Sequence, residues 1–279
     1  MKKLFRFILN TIPRPLLIRL SYVARPVLAF ALQGNKFTDP IDGKSFRSLL
    51  PYGYGKQRNN VLSPSTLSLE RHRLLWLYLR NETDFFGESE LGSDSQPASQ
   101  KIKLRKNNET RSPLKVLHFA PEQAFYKRFR NMKNLDYTTT DLFSPLADVK
   151  ADICNLPFPD NTYDLILCNH VLEHIADDIK AMHELYRVLK PGGMGIFQIP
   201  QDLTREDTFE DNSITDPKQR AEIFGQYDHV RVYGRDYFDK LRSIGFKVIE
   251  EDYTKKLNPA LVEKYCLAPG EIIPVCFKQ

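Results

Sequence analysis

The chain is short of the residues that most often announce a site. Its 279 residues include four cysteines, Cys154, Cys168, Cys266 and Cys276, and no two of them form a CxxC pair. Cys168 and Cys276 sit inside apolar runs, so all four read as reduced cytosolic thiols rather than as a disulfide frame or a metal cage. No apolar run reaches the roughly 18 residues of a transmembrane helix. The nearest candidate is interrupted by arginines and by Pro13, Pro15 and Pro26. Arg6, Arg14 and Arg19 would fall within the apolar core of a signal peptide, which disfavours one although Ala29-Phe30-Ala31 resembles a cleavage site. The formal charge is only +5 and the basic residues form no single stripe, so no nucleic-acid partner is expected. No internal repeat is visible.

One further absence is local. From Met1 to Thr38 there is no acidic residue, while Lys2, Lys3, Arg6, Arg14, Arg19, Arg25 and Lys36 are basic and strongly apolar residues lie between them. Residues 1–32 therefore read either as a basic amphipathic arm, a short helix pair on an anionic membrane surface, or as an arm packed on the protein's own core. Residues 33–86 form a small subdomain. It is turn-rich at first, and Ser68 is then placed to cap a helix through Leu79. Residues 87–113 are polar and nearly free of aromatic residues, as in a flexible linker or insertion.

From residue 114 to 279 strands and helices alternate. Apolar runs appear at "LKVLHFA", "LDYTTTD", "DVKADI", "YDLILCN" and "MGIFQIP", with helical periodicity between them, most clearly in "DDIKAMHELYRVLK". This predicts an α/β, doubly wound and mostly parallel sheet. The last two candidates, "FKVIEEDY" and "EIIPVCFK", predict antiparallel pairing at one edge. Ligands of such a sheet sit beyond the carboxyl ends of its strands. The first strand ends in "HFAPE", residues 118–122, and no glycine is present where a nucleotide-type ligand is usually cradled. Asp141 ends the second strand at a spacing suited to ribose hydroxyls. Asp152 ends the third, the fourth delivers Asn169 and His170, and "LKPGG" turns the chain into the fifth.

The run from Ala151 to Pro200, "ADICNLPFPDNTYDLILCNHVLEHIADDIKAMHELYRVLKPGGMGIFQIP", resembles the core of class I S-adenosylmethionine-dependent methyltransferases, of the methyltransferase-type-11 kind. The likeness extends over roughly residues 114–279. It implies a Rossmann-like sheet of seven strands with the last antiparallel, and S-adenosyl-L-methionine as cofactor. Carried over by position, Asp141 would hold the ribose diol. Asp152 and Ile153 would contact the adenine, and Asn169 and His170 would line the methionine side. The family's acidic-x-Gly-x-Gly-x-Gly turn corresponds here to His118, Ala120 and Glu122 around Phe119 and Pro121. Glu122 would then supply the negative charge that the cofactor's ammonium and sulfonium favour.

For catalysis, His229 and His170 are the candidate bases, with Glu173 and His174 either joining them or bracing a short helix. Residues 201–234 would cover a small or lipid-linked acceptor. Each site residue also has a plain structural role open to it, as cap, turn former or loop brace. A non-catalytic, membrane-associated binding protein on the same fold is the second reading, and an NAD-dependent oxidoreductase, which needs the missing glycines, is a weaker third. "DPIDG" and "LSPSTLSLERHR" resemble the halves of a zinc knuckle whose ligand positions now hold Asp39, Asp42, Ser63 and Thr66. Two carboxylates and two hydroxyls are poor zinc ligands, so no metal is expected there and side-chain hydrogen bonds must hold the segment. The cell location expected is cytoplasmic, with the arm peripheral on the inner membrane face.

Overall fold

The computed structural model describes residues 14–53, 57–87, 101–104 and 112–279, and the chain divides into two compact units. The first comprises the described residues up to Leu74 together with Leu257–Ala268; the second comprises Leu75–Lys256 and Pro269–Gln279. The division differs from the one expected at residues 86 and 114. Trp76 stacks on Phe125 and Phe129 of the second unit, with ring centroids 6.4 and 6.2 Å away, and carries its part of the chain with it.

In the first unit, helix α1 runs from Arg14 to Ala31 with Pro26 inside it. The expected helix pair falls partly on the arm's residues 1–13, which lie outside the described residues. Strands β1 (Gln33–Thr38) and β2 (Ser45–Phe46) pair antiparallel, as do β3 (Leu50–Tyr52) and β4 (Arg58–Leu62). Helix α2 spans Glu70–Glu82, later at both ends than expected. Ser68 lies two positions before its first residue, and its hydroxyl donates to Asp39 Oδ2 at 3.0 Å.

That carboxylate organises the knuckle-like segment. Asp39 is buried, accepts the Thr66 hydroxyl on Oδ2, and accepts the Ile41 N–H on Oδ1 at 2.9 Å. The Arg73 guanidinium, also fully buried, donates to the carbonyls of Val61, Ser68, Tyr265 and Cys266. Side-chain hydrogen bonds thus join Asp39 to the segment carrying Thr66 and Ser68.

In the second unit, β5 (Leu114–Phe119) leads into α3 (Gln123–Asn131) and β6 (Leu135–Thr140), then β7 (Tyr163–Cys168), α4 (Asp178–Val188) and β8 (Leu189–Ile196). A small hairpin, β9 (Phe209–Glu210) with β10 (Arg231–Val232), encloses α5 (Pro217–Ile223). Then come α6 (Tyr237–Ile244) and β11 (Phe246–Glu251). Helix α7 (Pro259–Lys264) belongs to the first unit, and β12 (Ile273–Lys278) ends the chain's fold in the second.

Among the described residues the sheet has six strands in the order β11-β12-β8-β7-β5-β6. Strands β8, β7, β5 and β6 are parallel, and β12 is antiparallel to both its neighbours. It is a Rossmann-like α/β sheet with six strands rather than the expected seven. The strand expected at "DVKADI" is reduced to one parallel bridge between Thr140 and Val149. Asp148 is the reason: its carboxylate folds back to accept the Thr139 N–H and hydroxyl and to pair with Arg130, which pulls the chain off the ladder. "LKPGG" lies inside β8 as a bulge, since Leu189 opposes Tyr163 while Met194 already opposes Leu165. Part of the expected linker is also ordered: Ile102 bridges Thr83 and the Lys101 ammonium donates to the Arg80 carbonyl. The remainder of that linker, residues 88–100 and 105–111, lies outside the described residues.

Asp39→Ala should lower the stability of the first unit by about 2–4 kcal/mol, because two hydroxyls and an N–H lose a buried anionic acceptor. Urea unfolding read through hydrogen exchange at the Ile41 amide measures this. Unchanged exchange would mean that the carboxylate does not hold the segment.

Candidate active site

The parallel register places three strand ends side by side. Phe119 opposes Thr140 of β6 on one side and Cys168 of β7 on the other. Ala120 is therefore flanked by Asp141 and Asn169. This is the switch point of the sheet, where the connections leave in opposite directions and open a crevice.

Two non-glycine residues at these ends have a left-handed backbone. Ala120 has φ +44° and His170 has φ +53°. Such values cost an L-residue roughly 1–2 kcal/mol and persist where the surroundings impose them, commonly at functional sites. At Ala120 the cause is visible. Its N–H bonds the Thr140 carbonyl at 3.0 Å, and Pro121 and Glu122 lead directly into α3. The backbone thus keeps the conformation a glycine turn would take, with one methyl group added.

His118 fixes that turn from behind. It is wholly buried among Phe125, Phe129 and Tyr137. Its Nδ1 lies 2.8 Å from the Tyr137 hydroxyl and its Nε2 lies 2.6 Å from Glu122 Oε2. Burial pushes the Tyr137 phenol well above its ordinary range, so it stays protonated and donates to Nδ1. His118 then donates through Nε2–H to the Glu122 carboxylate. Both ring nitrogens are engaged, so His118 is a positioning residue and is not placed to touch a ligand directly.

Asp141 accepts the N–H groups of Phe143 and Ser144 through Oδ1 alone, which bends the loop and presents its carboxylate at the strand end. Asp152 is exposed and accepts the Cys154 N–H at 2.9 Å. The Ile153 side chain is in the core with Leu117, Phe119 and Leu156, leaving only its backbone available to a ligand. Asn169 is buried and its Oδ1 lies 3.3 Å from the Gln198 N–H. Its Nδ2 and the Gln198 Nε2 are buried without a hydrogen-bond partner. Buried amides in that state await a polar group. Gln198 was not singled out from the sequence; the signal available was a polar residue at the end of an apolar strand.

Beyond Asn169 the turn Leu172–His174 brings in a second group. Glu173 is 1% exposed, and both its carboxylate oxygens lack an aligned hydrogen bond. His170 Nδ1 stands 3.3 Å from Glu173 Oε1, and His174 Nε2 stands 4.0 Å from the same oxygen. Burial alone would raise the Glu173 carboxyl, but His170 and His174 together hold it below its ordinary range.

His229 is buried, not on the surface. Its Nδ1 lies 3.1 Å from the Phe224 carbonyl, its ring packs edge-on to His174, and burial lowers its pKa. Asp228 pairs with His174, 3.5 Å from Nδ1, instead of with His229. The structure therefore brings Ala120, Glu122, Asp141 and Asn169 to adjoining strand ends, gathers His170 and His229 around Glu173, and leaves Asp152 on the outer loop.

Residues 113–197 match a family described as "Methyltransferase domain". An uncharacterized protein of Methanocaldococcus jannaschii is 44% identical over 66 residues, 23% of this chain and 29% of that protein. A ubiquinone/menaquinone biosynthesis C-methyltransferase of Escherichia coli O1:K1 is 51% identical over 45 residues, 16% of this chain and 18% of that protein. The chain spans less than a third of the length of these curated relatives. Among solved structures, a 1,6-didemethyltoxoflavin-N1-methyltransferase of Burkholderia thailandensis is similar with a TM-score of 0.42 and 13% identity, over 60% of this chain and 72% of that one. The stretch that matches the methyltransferase-domain family contains the strand-end crevice described above.

Ala120→Gly removes the strain of the left-handed alanine. It should stabilise the protein by about 1 kcal/mol in thermal or urea unfolding. A loss of stability of that size would show that the turn is not strained at Ala120.

Proposed function

We propose that the chain is an S-adenosylmethionine-dependent methyltransferase acting on a small or lipid-linked acceptor. The observation that carries this reading is the strand-end crevice, with a left-handed Ala120 between Asp141 and Asn169. The residues present fit the cofactor. Asp141 suits the ribose diol, and Asp152 with the Ile153 backbone suits the adenine. The unpartnered amides of Asn169 and Gln198 suit the polar groups of the methionine part. The cofactor when bound supplies an electrophilic methyl group on a sulfonium. The chain's own part is to align an acceptor in a dry pocket, which can lower the barrier by roughly 7–11 kcal/mol. His170 and His229 are the candidates for taking a proton from the acceptor. The E. coli relative, and a demethylmenaquinone methyltransferase of Chlamydia trachomatis that is 36% identical over 62 residues, are named for quinone substrates, which supports a small or lipid-like acceptor here.

A second reading, a non-catalytic binding protein, is favoured by one feature: His118 already holds the Glu122 carboxylate. Calorimetry separates the two. We expect S-adenosylmethionine and S-adenosylhomocysteine each to bind the folded chain, and Asp141→Ala to weaken both at least tenfold. Absence of any binding heat by folded protein would overturn the methyltransferase reading.

We also propose a cytoplasmic location with α1 lying on the anionic inner face of a membrane. Leu16, Leu20, Val23, Val27 and Phe30, spaced alternately four and three residues apart, make one stripe on α1, and Val23, Val27 and Phe30 are 74, 69 and 82% exposed. No helix of the described residues is long and apolar enough to cross a membrane. A stripe of that kind in a segment without acidic residues suits interfacial binding. Replacing Val23, Val27 and Phe30 together by glutamate should abolish co-sedimentation with anionic vesicles. Equal sedimentation of the variant would dispose of the membrane role.

A further inference from the structure

The group around Glu173 has a different chemistry from the strand-end crevice, and its parts are arranged as metal ligands are. Glu173, His174 and His229 each offer a donor atom, and these atoms lie within 4.8 Å of one another. We propose that they bind one divalent transition-metal ion, zinc or a similar nitrogen-preferring cation, through a Glu173 carboxylate oxygen and one nitrogen from each histidine.

The second layer supports this assignment atom by atom. His229 Nδ1 faces the Phe224 carbonyl at 3.1 Å, so that nitrogen carries the hydrogen and Nε2 keeps its lone pair. His174 Nδ1 faces the Asp228 carbonyl at 3.3 Å and the Asp228 carboxylate at 3.5 Å. Its proton belongs there, and Nε2 is again the open nitrogen. That nitrogen looks toward Glu173 Oε1 across 4.0 Å, too far for a hydrogen bond and wide enough for an ion between two acceptors. Metal-bound histidines almost always donate their other N–H to a carbonyl or carboxylate in this way. Both Glu173 oxygens are buried without an aligned donor, although His170 Nδ1 stands 3.3 Å from Oε1, and a cation would give the carboxylate a direct partner.

The scaffold is fixed before any ion arrives. The Arg231 guanidinium is buried and donates to the carbonyls of Leu172, Ile175 and Ala176, on both sides of the ligand pair. The Val230 N–H bonds the Glu173 carbonyl at 2.9 Å, so the segment carrying His229 is tied directly to the turn carrying Glu173 and His174. Two histidines and one carboxylate form a three-ligand set that leaves a coordination position open. An open position near the carboxyl ends of β7 and β8 would take an oxygen donor, such as a hydroxyl or carboxylate of the acceptor. In this arrangement His229 is a ligand, and His170 remains as the base.

The test is titration of the metal-free, full-length protein with Co²⁺, followed by visible absorption, and with Zn²⁺, followed by calorimetry. We expect one ion per chain and the strong absorption of a four- or five-coordinate site with nitrogen ligands. His174→Ala, at a partly exposed position, and His229→Ala should each weaken binding about 100-fold, and Asp228→Asn about tenfold. Far-UV circular dichroism of each variant confirms that it is folded, and His174→Ala decides the matter if Glu173→Gln is destabilised. No saturable binding, or binding that the folded His174→Ala variant retains in full, would overturn the site. Neither result bears on S-adenosylmethionine binding, which the calorimetry above reads separately.

Discussion

A buried histidine ties the end of the first core strand to the start of the helix that follows. His118 receives the Tyr137 hydroxyl and donates to Glu122, and the bond to a charged acceptor is worth roughly 1.5–3 kcal/mol. That is of the same size as the cost of a left-handed Ala120, which the turn between them requires. The tight turn needs no glycine because this three-residue chain, packed under Phe125 and Phe129, imposes the backbone from below. Everything placed at the crevice depends on it. The position of Ala120 sets the gap between Asp141 and Asn169, and the start of α3 sets where Glu122 stands.

The N-terminal unit follows a similar logic with different chemistry. Here one buried carboxylate, Asp39, collects Thr66, Ser68 and the Ile41 N–H. The buried Arg73 then satisfies backbone carbonyls drawn from distant parts of the chain. A hydrogen-bonded cluster of this kind needs every member satisfied, because one missing partner leaves several buried groups exposed to the full cost of desolvation.

Much of the sheet was legible because strands buried on both faces read as short apolar runs, and "KVLHF" and "YDLILC" are such runs. The antiparallel edge was legible for a different reason: its last two strand candidates are joined by a helix-poor segment, which suits antiparallel pairing. The missing seventh strand was not, because its loss comes from a tertiary contact, Asp148 with Thr139 and Arg130, that no local pattern reports. At the site, the strand-end residues Asp141 and Asn169 followed from topology. The burial of His118 and His229, and the convergence of His229 on Glu173 across 56 residues of chain, depend on the β9–β10 hairpin, whose strands are two residues each and carry no readable period.

The central claim is that a turn without glycine, held by His118, still receives the adenosyl cofactor. The most direct measurement is a crystal structure of the full-length chain grown with saturating S-adenosylhomocysteine. The ribose is expected against Asp141, the ligand's polar end beside Asn169 and Gln198, and Ala120 still left-handed above an intact His118–Glu122 bond. A crevice without ligand at saturation, or ligand bound elsewhere on the chain, would contradict it.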